Sequence, residues 1–429
     1  MPHEPRPAPG TGKPVSHLRS FWSALGPGVV SGAADDDPSG IATYSIAGAQ
    51  FGMAFLWTAI LTWPLMAATQ SMCARIGMVT GEGLMAALRK RFPRWVLVAI
   101  AAALLAANTI NIGADLSGMA DAAELLTGVS SHLWVVIFGI GIAVATIRIH
   151  YGTMANVLKW LALVLFVYIV EAVQLGPPWR AVAHATVIPS IPGGPSGWAT
   201  LVAILGTTIS PYLFFWQASE EVEEEKSIGR KSVKSRHGAT HDELIRRKID
   251  VGAGTFFSNL VMFFIILTTA LTLHAHGLTK IETSRQVAEA LTPLAGRFAT
   301  LLYTVGLIGT GLLAIPTLAG SAAYAVAEVY GWRQGMDASL RGAPAFYAVV
   351  SVAMICGMGM DYANLNAVRT LYWSAVINGV LAPFLLLGIL FVASDARLMQ
   401  GQPSPLLGRV VVGITTATMF AAAAGMLLL

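Results

Sequence analysis

The chain carries little charge for its length. Of its 429 residues, 12% are charged and 55% are hydrophobic, whereas soluble domains carry about 25% charged residues. Long apolar stretches recur from Phe21 to Leu429, and the polar faces that soluble helices need are missing. The composition therefore excludes an ordinary soluble protein and predicts an all-α protein that crosses the membrane many times.

Cysteine is also scarce. Cys73 and Cys356 are too few for a disulfide framework or a thiolate metal site, so both are interpreted as small packing residues. The first 19 residues are polar and rich in proline, and they lack the apolar core of a secretory signal. We therefore expect residues 1–20 to form a cytoplasmic tail and residues 21–429 to form a single transmembrane domain.

Eleven apolar segments are candidate membrane helices. The first five and the next five form two candidate repeats, over about 21–175 and 197–393, and the last segment is an extra helix. The segments lie at about 22–49, 51–74, 95–119, 132–149, 153–174, 198–217, 249–273, 298–328, 343–359, 364–393 and 405–429.

The basic residues predict which loops face the cytoplasm. With the N-terminus inside, 22 of the 27 Lys and Arg residues lie on the inner side and 5 outside, as the positive-inside rule requires. The charged stretch from Glu220 to Asp250 is then cytoplasmic. Its acidic and basic blocks without aromatics favour a solvated connector over a nucleic-acid-binding or lipid-binding segment. The Pro- and Gly-rich stretch 189–197 becomes an outer loop, and the protein is expected in the inner (plasma) membrane.

Two of the segments contain proline near the middle. Residues 35–40 read DDDPSG in the first segment, and residues 207–212 read TTISPY in the sixth. Proline removes a backbone donor and clashes with the preceding turn, so both helices should unwind there. Interrupted segments at corresponding positions of two halves are typical of inverted-repeat transporters, whose substrate site lies at the breaks.

The aspartates of the first break predict a buried polar site. One aspartate at the centre of a membrane helix costs about 2.5–3.5 kcal/mol, so these side chains should face a cavity, a partner or water. An aqueous loop between two hairpin segments is the alternative, but residues 22–34 fall short of the roughly 20 residues that a span needs. A carboxylate, unwound carbonyls and a hydroxyl together suit a hard cation. Asp37 would repel an anionic substrate, and Asp35 is assigned no role.

These features resemble the Nramp family of divalent-metal transporters over nearly the whole chain. The family motif Asp-Pro-Gly-Asn of the first helix corresponds to DPSG at residues 37–40, and Met-Pro-His of the sixth corresponds to SPY at residues 210–212. The resemblance implies a LeuT-like fold of two inverted five-helix repeats with helices 1 and 6 broken, plus an eleventh helix. It also implies a metal site formed by the Asp37 side chain, the positions of Gly40 and Ser210, and the carbonyls of Ala34 and Thr207.

The departures from the family motifs predict a different ion. A methionine sulfur selects soft transition metals, but here the Ser210 hydroxyl takes its place, and Gly40 offers no side chain. The wider, oxygen-lined cavity suits Mg²⁺, which keeps several of its waters, and resembles the Nramp-related magnesium transporter branch. Tyr212 and Gln217 stand where the family has histidines, and neither titrates near pH 7, so weak or absent proton coupling is expected.

Other polar residues are secondary candidates. Asn108, Asn111 and Asp115 share one helical face through their spacing of 3 and 4. They are interpreted mainly as hydrogen-bonding contacts between helices, with a residual role for Asp115 near the ion path. Asn378 is a candidate ligand of the ion or of its waters. Asp36 is a candidate metal-site residue. It is expected either to supply negative charge behind the direct ligands of the ion or to line the outer vestibule.

The sequence therefore predicts a secondary-type transporter that moves Mg²⁺ and/or Mn²⁺ by alternating access, with no enzymatic activity and no cofactor. The expected partners are the divalent ion and the lipid bilayer, without nucleic acid or an obligate protein partner. Two alternatives share the fold: a proton-coupled Mn²⁺/Fe²⁺ carrier and a sodium-coupled organic solute carrier. A third is an intramembrane aspartyl protease that pairs Asp37 with Asp115, although IGAD at 112–115 matches the Gly-x-Gly-Asp motif of that class only loosely.

Overall fold

The computed structural model describes residues 34–149, 163–291, 298–363 and 366–428, together with residues 32 and 153. Within these ranges all regular structure is helical. The sixteen α-helices are α1 Pro38–Phe51, α2 Leu56–Thr80, α3 Leu84–Arg89, α4 Arg94–Thr127, α5 Ser131–Arg148, α6 Val167–Gln174, α7 Trp179–Val187, α8 Pro195–Thr208, α9 Pro211–Ser227, α10 Val233–Arg236, α11 His241–Thr272, α12 Ser284–Glu289, α13 Ala299–Tyr330, α14 Pro344–Met360, α15 Ala367–Ser394 and α16 Leu406–Leu428.

Nine helical stretches of the described residues are long and apolar enough to cross a membrane. The first, Pro38–Thr80, has 43 residues, about twice the 20 that one crossing needs. This stretch contains two helices, α1 and α2. Gly52 ends α1, because it adopts a positive φ of 59°, which glycine tolerates better than other residues. Each of the eleven predicted segments contains at least part of a helix, although residues 22–31 and 154–162 lie outside the described ranges.

Five prolines of the apolar segments differ in where they lie within a helix. Pro38 and Pro211 each occupy the first turn of a helix, where a missing N–H costs nothing. Pro64, Pro316 and Pro383 lie inside α2, α13 and α15 without ending them. The breaks predicted near 35–40 and 207–212 are therefore present: residues 36 and 37 separate α1 from the helical turn before it, and residues 209 and 210 separate α8 from α9.

The two broken stretches lie at the centre of the helix packing. α1 packs against α11 and α15, α8 packs against α15, and α9 packs against α2 and α13. α4 packs against α13, α14, α15 and α5. The apolar middle of the stretch from α8 to α9 is almost entirely buried, so its side chains face other helices and not lipid.

Loops meet near both ends of α2, and these two ends define two faces of the molecule. On one face, Arg236 donates to the Gly81 carbonyl at 2.9 Å and Gln402 donates to the Ala239 carbonyl at 2.9 Å, so the loops after α2, α9 and α15 meet. On the other, Trp57 donates to the Ser190 carbonyl at 2.9 Å. The assignment of the first face to the cytoplasm stays a prediction from the basic residues.

The charged stretch from Glu220 to Asp250 is mostly solvated but is more helical and more paired at its two ends than the sequence indicated. α9 continues through its acidic half and α11 begins within its basic half. Arg247 pairs with Glu221 and Asp250, each at 2.7 Å, and also with Glu224, and both Glu221 and Asp250 are buried. Most of residues 224–249 are exposed or half-buried, as a solvated connector requires. The buried pairs that Arg247 forms between α9 and α11 were not predicted, because they depend on how the two helices pack.

Candidate functional site at two broken helices

The first break is organised by Asp37, which caps the start of α1. Its Oδ1 accepts a hydrogen bond from the Gly40 backbone N–H at 2.7 Å, so the carboxylate satisfies one of the donors that a helix N-terminus leaves free. Asp37 is only 2% exposed. The helix N-terminus stabilises negative charge at this place, which helps to keep a carboxylate inside the protein.

The two prolines release the two carbonyls that the sequence assigned to the site. In a continuous helix the N–H of residue i bonds the carbonyl of residue i−4, and proline has no N–H. Pro38 therefore leaves the Ala34 carbonyl free, and Pro211 leaves the Thr207 carbonyl free. Breaking a helix with proline thus places a bare carbonyl oxygen one turn before the break in both halves.

Each released carbonyl accepts a side-chain hydroxyl from the second break. Tyr212 Oη donates to the Ala34 oxygen at 2.8 Å, and Ser210 Oγ lies 2.7 Å from the Thr207 oxygen and 2.7 Å from the Gly206 oxygen. A carbonyl oxygen has two lone pairs, so each can accept a hydroxyl and still face a cation. The hydroxyls of Ser210 and Tyr212 thereby hold the carbonyls in place.

The two breaks touch at Gly40. A Cβ placed on this glycine would lie 3.2 Å from Thr207 Oγ1 and 3.4 Å from the Asp35 carbonyl oxygen. The absence of a side chain lets the start of α1 approach the end of α8 closely. Asp37, Ala34, Gly40, Thr207, Ser210 and Tyr212 therefore belong to one region of the fold, through the contacts Ala34–Tyr212 and Gly40–Thr207.

A side chain of α4 completes the surroundings of Asp37. Asn111 Nδ2 donates to Asp37 Oδ2 at 3.1 Å and to Asp115 Oδ2 at 3.0 Å. Asn378 Nδ2 donates to Asn111 Oδ1 at 3.3 Å, so the candidate ligand Asn378 contacts Asn111, which in turn contacts Asp37. The Oδ1 of Asn378 is buried and has no hydrogen-bond partner among the described residues.

Ser39 links the same cluster to α15. Its Oγ lies 3.2 Å from Asp115 Oδ1, 3.4 Å from Asn111 Oδ1 and 2.9 Å from Ser374 Oγ. All four side chains are almost fully buried. The start of α1 is thus fastened to α4 and to α15 by polar contacts at one point.

The other two aspartates of the break face α11 instead. Ser258 Oγ lies 2.6 Å from Asp35 Oδ2 and 3.1 Å from Asp36 Oδ1. Asp36 was predicted either just outside the ligand layer or in the outer vestibule, and it is 5% exposed. Asp35, for which the sequence predicted no role, therefore shares a hydroxyl donor with Asp36.

The negative charge at the break has no basic partner in the described part of the chain. The ion pairs found there join residues 82 and 90, 132 and 361, and members of the 220–250 region; none reaches residues 35–37 or Asp115. An isolated buried carboxylate is very costly unless a counter-charge or a proton accompanies it. No group of three or more His, Cys, Asp or Glu side chains in metal-binding geometry occurs among the described residues, so any cation at Asp37 would rely on carbonyls, hydroxyls and water.

Sequence reasoning did not assign four of the polar residues around Asp37 and its neighbours to the site. Asn111 was interpreted as a contact between helices, and Ser39, Ser258 and Ser374 were not singled out. The spacing of Asn111 from Asp115 did place both on one helical face. Nothing in the sequence indicated that this face meets the start of α1, because the packing of α4 against α1 and α15 is a tertiary contact.

Two helices broken side by side inside a bundle of membrane-spanning helices define a class of protein, the multi-pass membrane transporters of the LeuT-like fold. The family model described as natural resistance-associated macrophage protein-like (Nramp) matches residues 28–429. The chain belongs to the Nramp family, which confirms the resemblance drawn from the two motifs.

Several known proteins are similar to this chain. A Yersinia pestis protein named divalent metal cation transporter MntH is 26% identical over 406 residues, covering 91% of this chain and 92% of the relative. A Yersinia enterocolitica protein of the same name is 29% identical over 315 residues, covering 72% of this chain and 73% of the relative. These relatives are named as metal ion transporters and not as enzymes. Their names confirm the prediction of a transporter without enzymatic activity.

Solved structures confirm the fold. A crystal structure of the Eremococcus coleocola manganese transporter matches with a TM-score of 0.74 at 18% identity, covering 97% of this chain and 89% of that one. A structure of Mhp1, a nucleobase-cation-symport-1 family transporter, matches with a TM-score of 0.54 at 17% identity, covering 94% of this chain and 91% of that one. The predicted LeuT-like architecture with two broken helices is therefore correct.

Proposed function

We propose that this protein transports divalent metal cations, Mg²⁺ and Mn²⁺, across the plasma membrane by alternating access. The observation that carries the proposal is the Asp37 carboxylate, buried at a break between helices, with Oδ1 accepting from Gly40 N–H and Oδ2 accepting from Asn111 Nδ2. Each oxygen keeps a lone pair for a cation. The names of the relatives, divalent metal cation transporter and manganese transporter, support the same substrate class.

The donor atoms around Asp37 favour a cation that accepts oxygen and retains water. The carbonyls of Ala34 and Thr207 and the hydroxyl of Ser210 are all oxygen donors, and the position of Gly40 offers no side chain. Mg²⁺ dehydrates reluctantly and is usually bound through one or two carboxylates with several waters. Mn²⁺ also accepts oxygen ligands, so both ions are proposed as substrates.

Weak or absent proton coupling is part of the proposal. Tyr212 and Gln217, at the positions where the family motif has histidines, are engaged with other groups: Tyr212 donates to the Ala34 carbonyl and Gln217 donates to Glu221 Oε1 at 2.7 Å. Neither side chain exchanges protons near pH 7. A proton-coupled carrier would need another group to carry the proton. Asp115 is a buried carboxylate that Asn111 links to Asp37.

Uptake into proteoliposomes that contain an internal pH dye tests the proposal. We expect uptake of Mg²⁺ and of Mn²⁺, each reduced by the other, with little change of internal pH. Exclusion of Mg²⁺ with efficient Mn²⁺ entry would contradict the proposed ion range, and acidification in proportion to Mn²⁺ entry would favour the proton-coupled carrier. Stabilisation by organic solutes but not by divalent ions in a melting assay would favour the organic solute carrier.

A further inference from the structure

We propose that Asn111 is a positioning residue of the cation site. Its amide occupies part of the Asp37 carboxylate and thereby limits how closely a cation can bind there. The site then favours a cation that keeps its waters. This inference rests on the proposed function. It concerns a residue outside both broken helices, on α4, that the sequence interpretation treated as a contact between helices.

The first step is the orientation of the Asn111 side chain. Its Nδ2 lies 3.1 Å from an oxygen of Asp37 and 3.0 Å from an oxygen of Asp115. Carboxylates only accept hydrogen bonds and the amide nitrogen only donates, so the NH₂ group and not the carbonyl must face the two acids. Its Oδ1 is turned towards Asn378 Nδ2 at 3.3 Å and Ser39 Oγ at 3.4 Å, which are groups with hydrogens to donate.

The second step concerns the lone pairs of Asp37. Gly40 N–H occupies a lone pair of Oδ1, at 2.7 Å, and Asn111 occupies a lone pair of Oδ2. A cation that binds both oxygens at once has to approach along directions that these donors leave open. Because both oxygens already accept an N–H, the carboxylate has fewer open lone pairs with which to replace the waters of a cation, and this favours contact with one oxygen or contact through water. Such binding suits Mg²⁺, whose waters are hard to remove, better than an ion that readily gives up its waters.

Neighbouring helices keep the Asn111 amide in this orientation. Asn378 of α15 donates to the acceptor end of Asn111, and the Ser39 hydroxyl of α1, which has one hydrogen to donate, lies 3.4 Å from the same oxygen. Ser39 also lies within hydrogen-bond distance of Asp115 and Ser374. The family motif has glycine at the position of Ser39, so a hydroxyl there is a feature of this chain. Ser39 thus acts on the cation through Asn111 and not by contact with the ion.

Asn108 provides a matched control. It lies one turn before Asn111 on α4 and is equally buried, but its Nδ2 donates to the Leu318 carbonyl and to Ser321 Oγ, each at 2.8 Å. Asn108→Leu removes a buried amide of the same size without touching the surroundings of Asp37. Comparing it with Asn111→Leu separates a lost packing contact from a change at the cation site.

The experiment measures stabilisation of the purified full chain by Mg²⁺ and by Mn²⁺ in separate melting titrations, which gives an apparent affinity for each ion. We expect Asn111→Leu to raise the preference for Mn²⁺ over Mg²⁺ about tenfold, the size of one hydrogen bond to a charged group. Ser39→Gly should move the preference in the same direction by less. Asn108→Leu should leave it within about twofold, as for an independent site.

The outcomes separate this inference from the proposed function. If the wild-type chain is stabilised by both ions and neither Asn111→Leu nor Ser39→Gly changes the preference, the inference is wrong and the proposed function stands. A change of equal size in Asn108→Leu would also overturn it, because the effect would then be one of packing. If Asn111→Leu does not fold, Ser39→Gly decides. If the wild-type chain is stabilised by neither ion, both proposals fall.

Discussion

Asp37 has two separable roles, and two substitutions distinguish them. Its Oδ1 caps α1 by accepting from Gly40 N–H, and its charge is proposed to hold the cation. Asparagine caps helices about as well as aspartate does, whereas alanine costs about 1 kcal/mol. Without added cation, we therefore expect Asp37→Ala to unfold more easily than Asp37→Asn by about 1 kcal/mol. Asp37→Asn buries no charge, which favours folding, but its NH₂ group would face the Asn111 NH₂ group and lose that hydrogen bond, so we expect its stability to stay within about 1 kcal/mol of wild type.

Addition of a divalent cation should then separate wild type from both variants. A ligand at 100 times its dissociation constant stabilises the folded state by about 2.7 kcal/mol. Only the wild-type chain should gain this amount from Mg²⁺ or Mn²⁺, since the variants lack the carboxylate that holds the charge. Uptake into proteoliposomes should be lost in both variants, while their expression and insertion remain normal. The measurements are melting with and without cation and ion uptake over time.

Asp395 supplies a control for the loss of a capping carboxylate. It accepts from the N–H groups of Arg397 at 2.8 Å and Leu398 at 3.2 Å, in the loop between α15 and α16. The backbone N–H groups of Leu398 and then Arg397 hold the pKa of Asp395 below its ordinary value, so it is charged at neutral pH. Asp395→Asn should leave cation stabilisation and uptake unchanged. Wild-type uptake or wild-type cation stabilisation in Asp37→Asn would refute the role given to the Asp37 charge.

Two further substitutions test the ion preference and the charged stretch between α9 and α11. Ser210→Met should shift preference towards Mn²⁺ and Cd²⁺, because sulfur favours softer ions; competitive uptake measures this, and an unchanged order would contradict the role of the hydroxyl. Arg247→Gln should lower stability by about 3–5 kcal/mol, because it removes the guanidinium that pairs with the buried Glu221 and Asp250. The exposed Arg246 is its control, since Arg246→Gln should change the melting free energy by less than about 0.5 kcal/mol. Equal losses in the two variants would contradict the pairing.

The helices and their breaks could be predicted from the sequence because local rules determine them. Long apolar runs identify the spans, and proline next to a capping residue ends a helix. Pro64, Pro316 and Pro383 show the limit of this rule, since they lie inside helices that continue through them. What marks Pro38 as a break is the run of aspartates before it, which a continuous apolar helix would not contain.

The surroundings of Asp37 could be predicted only in part. The two carbonyls follow from the prolines, because each lies four residues before a missing N–H. Asn111 and Ser39 lie on separate helices, and their contact depends on how α4 packs against α1. The pairing of Arg247 with Glu221 depends on packing as well. Sequence distance carries no information about such contacts, so the same charges were interpreted as solvated.

The distribution of Lys and Arg predicts the orientation of the chain in the membrane. The basic residues place the loop around Ser235 inside and the loop around Thr279 outside, and both residues are exposed. In a variant without Cys73 and Cys356, a single cysteine is introduced as Thr279→Cys or as Ser235→Cys. A membrane-impermeant maleimide should label Thr279→Cys in intact cells and Ser235→Cys only after permeabilisation, because the excess of Lys and Arg stays on the cytoplasmic side. The reverse labelling pattern would invert the topology, and it would show that the charge bias does not set the orientation of this chain.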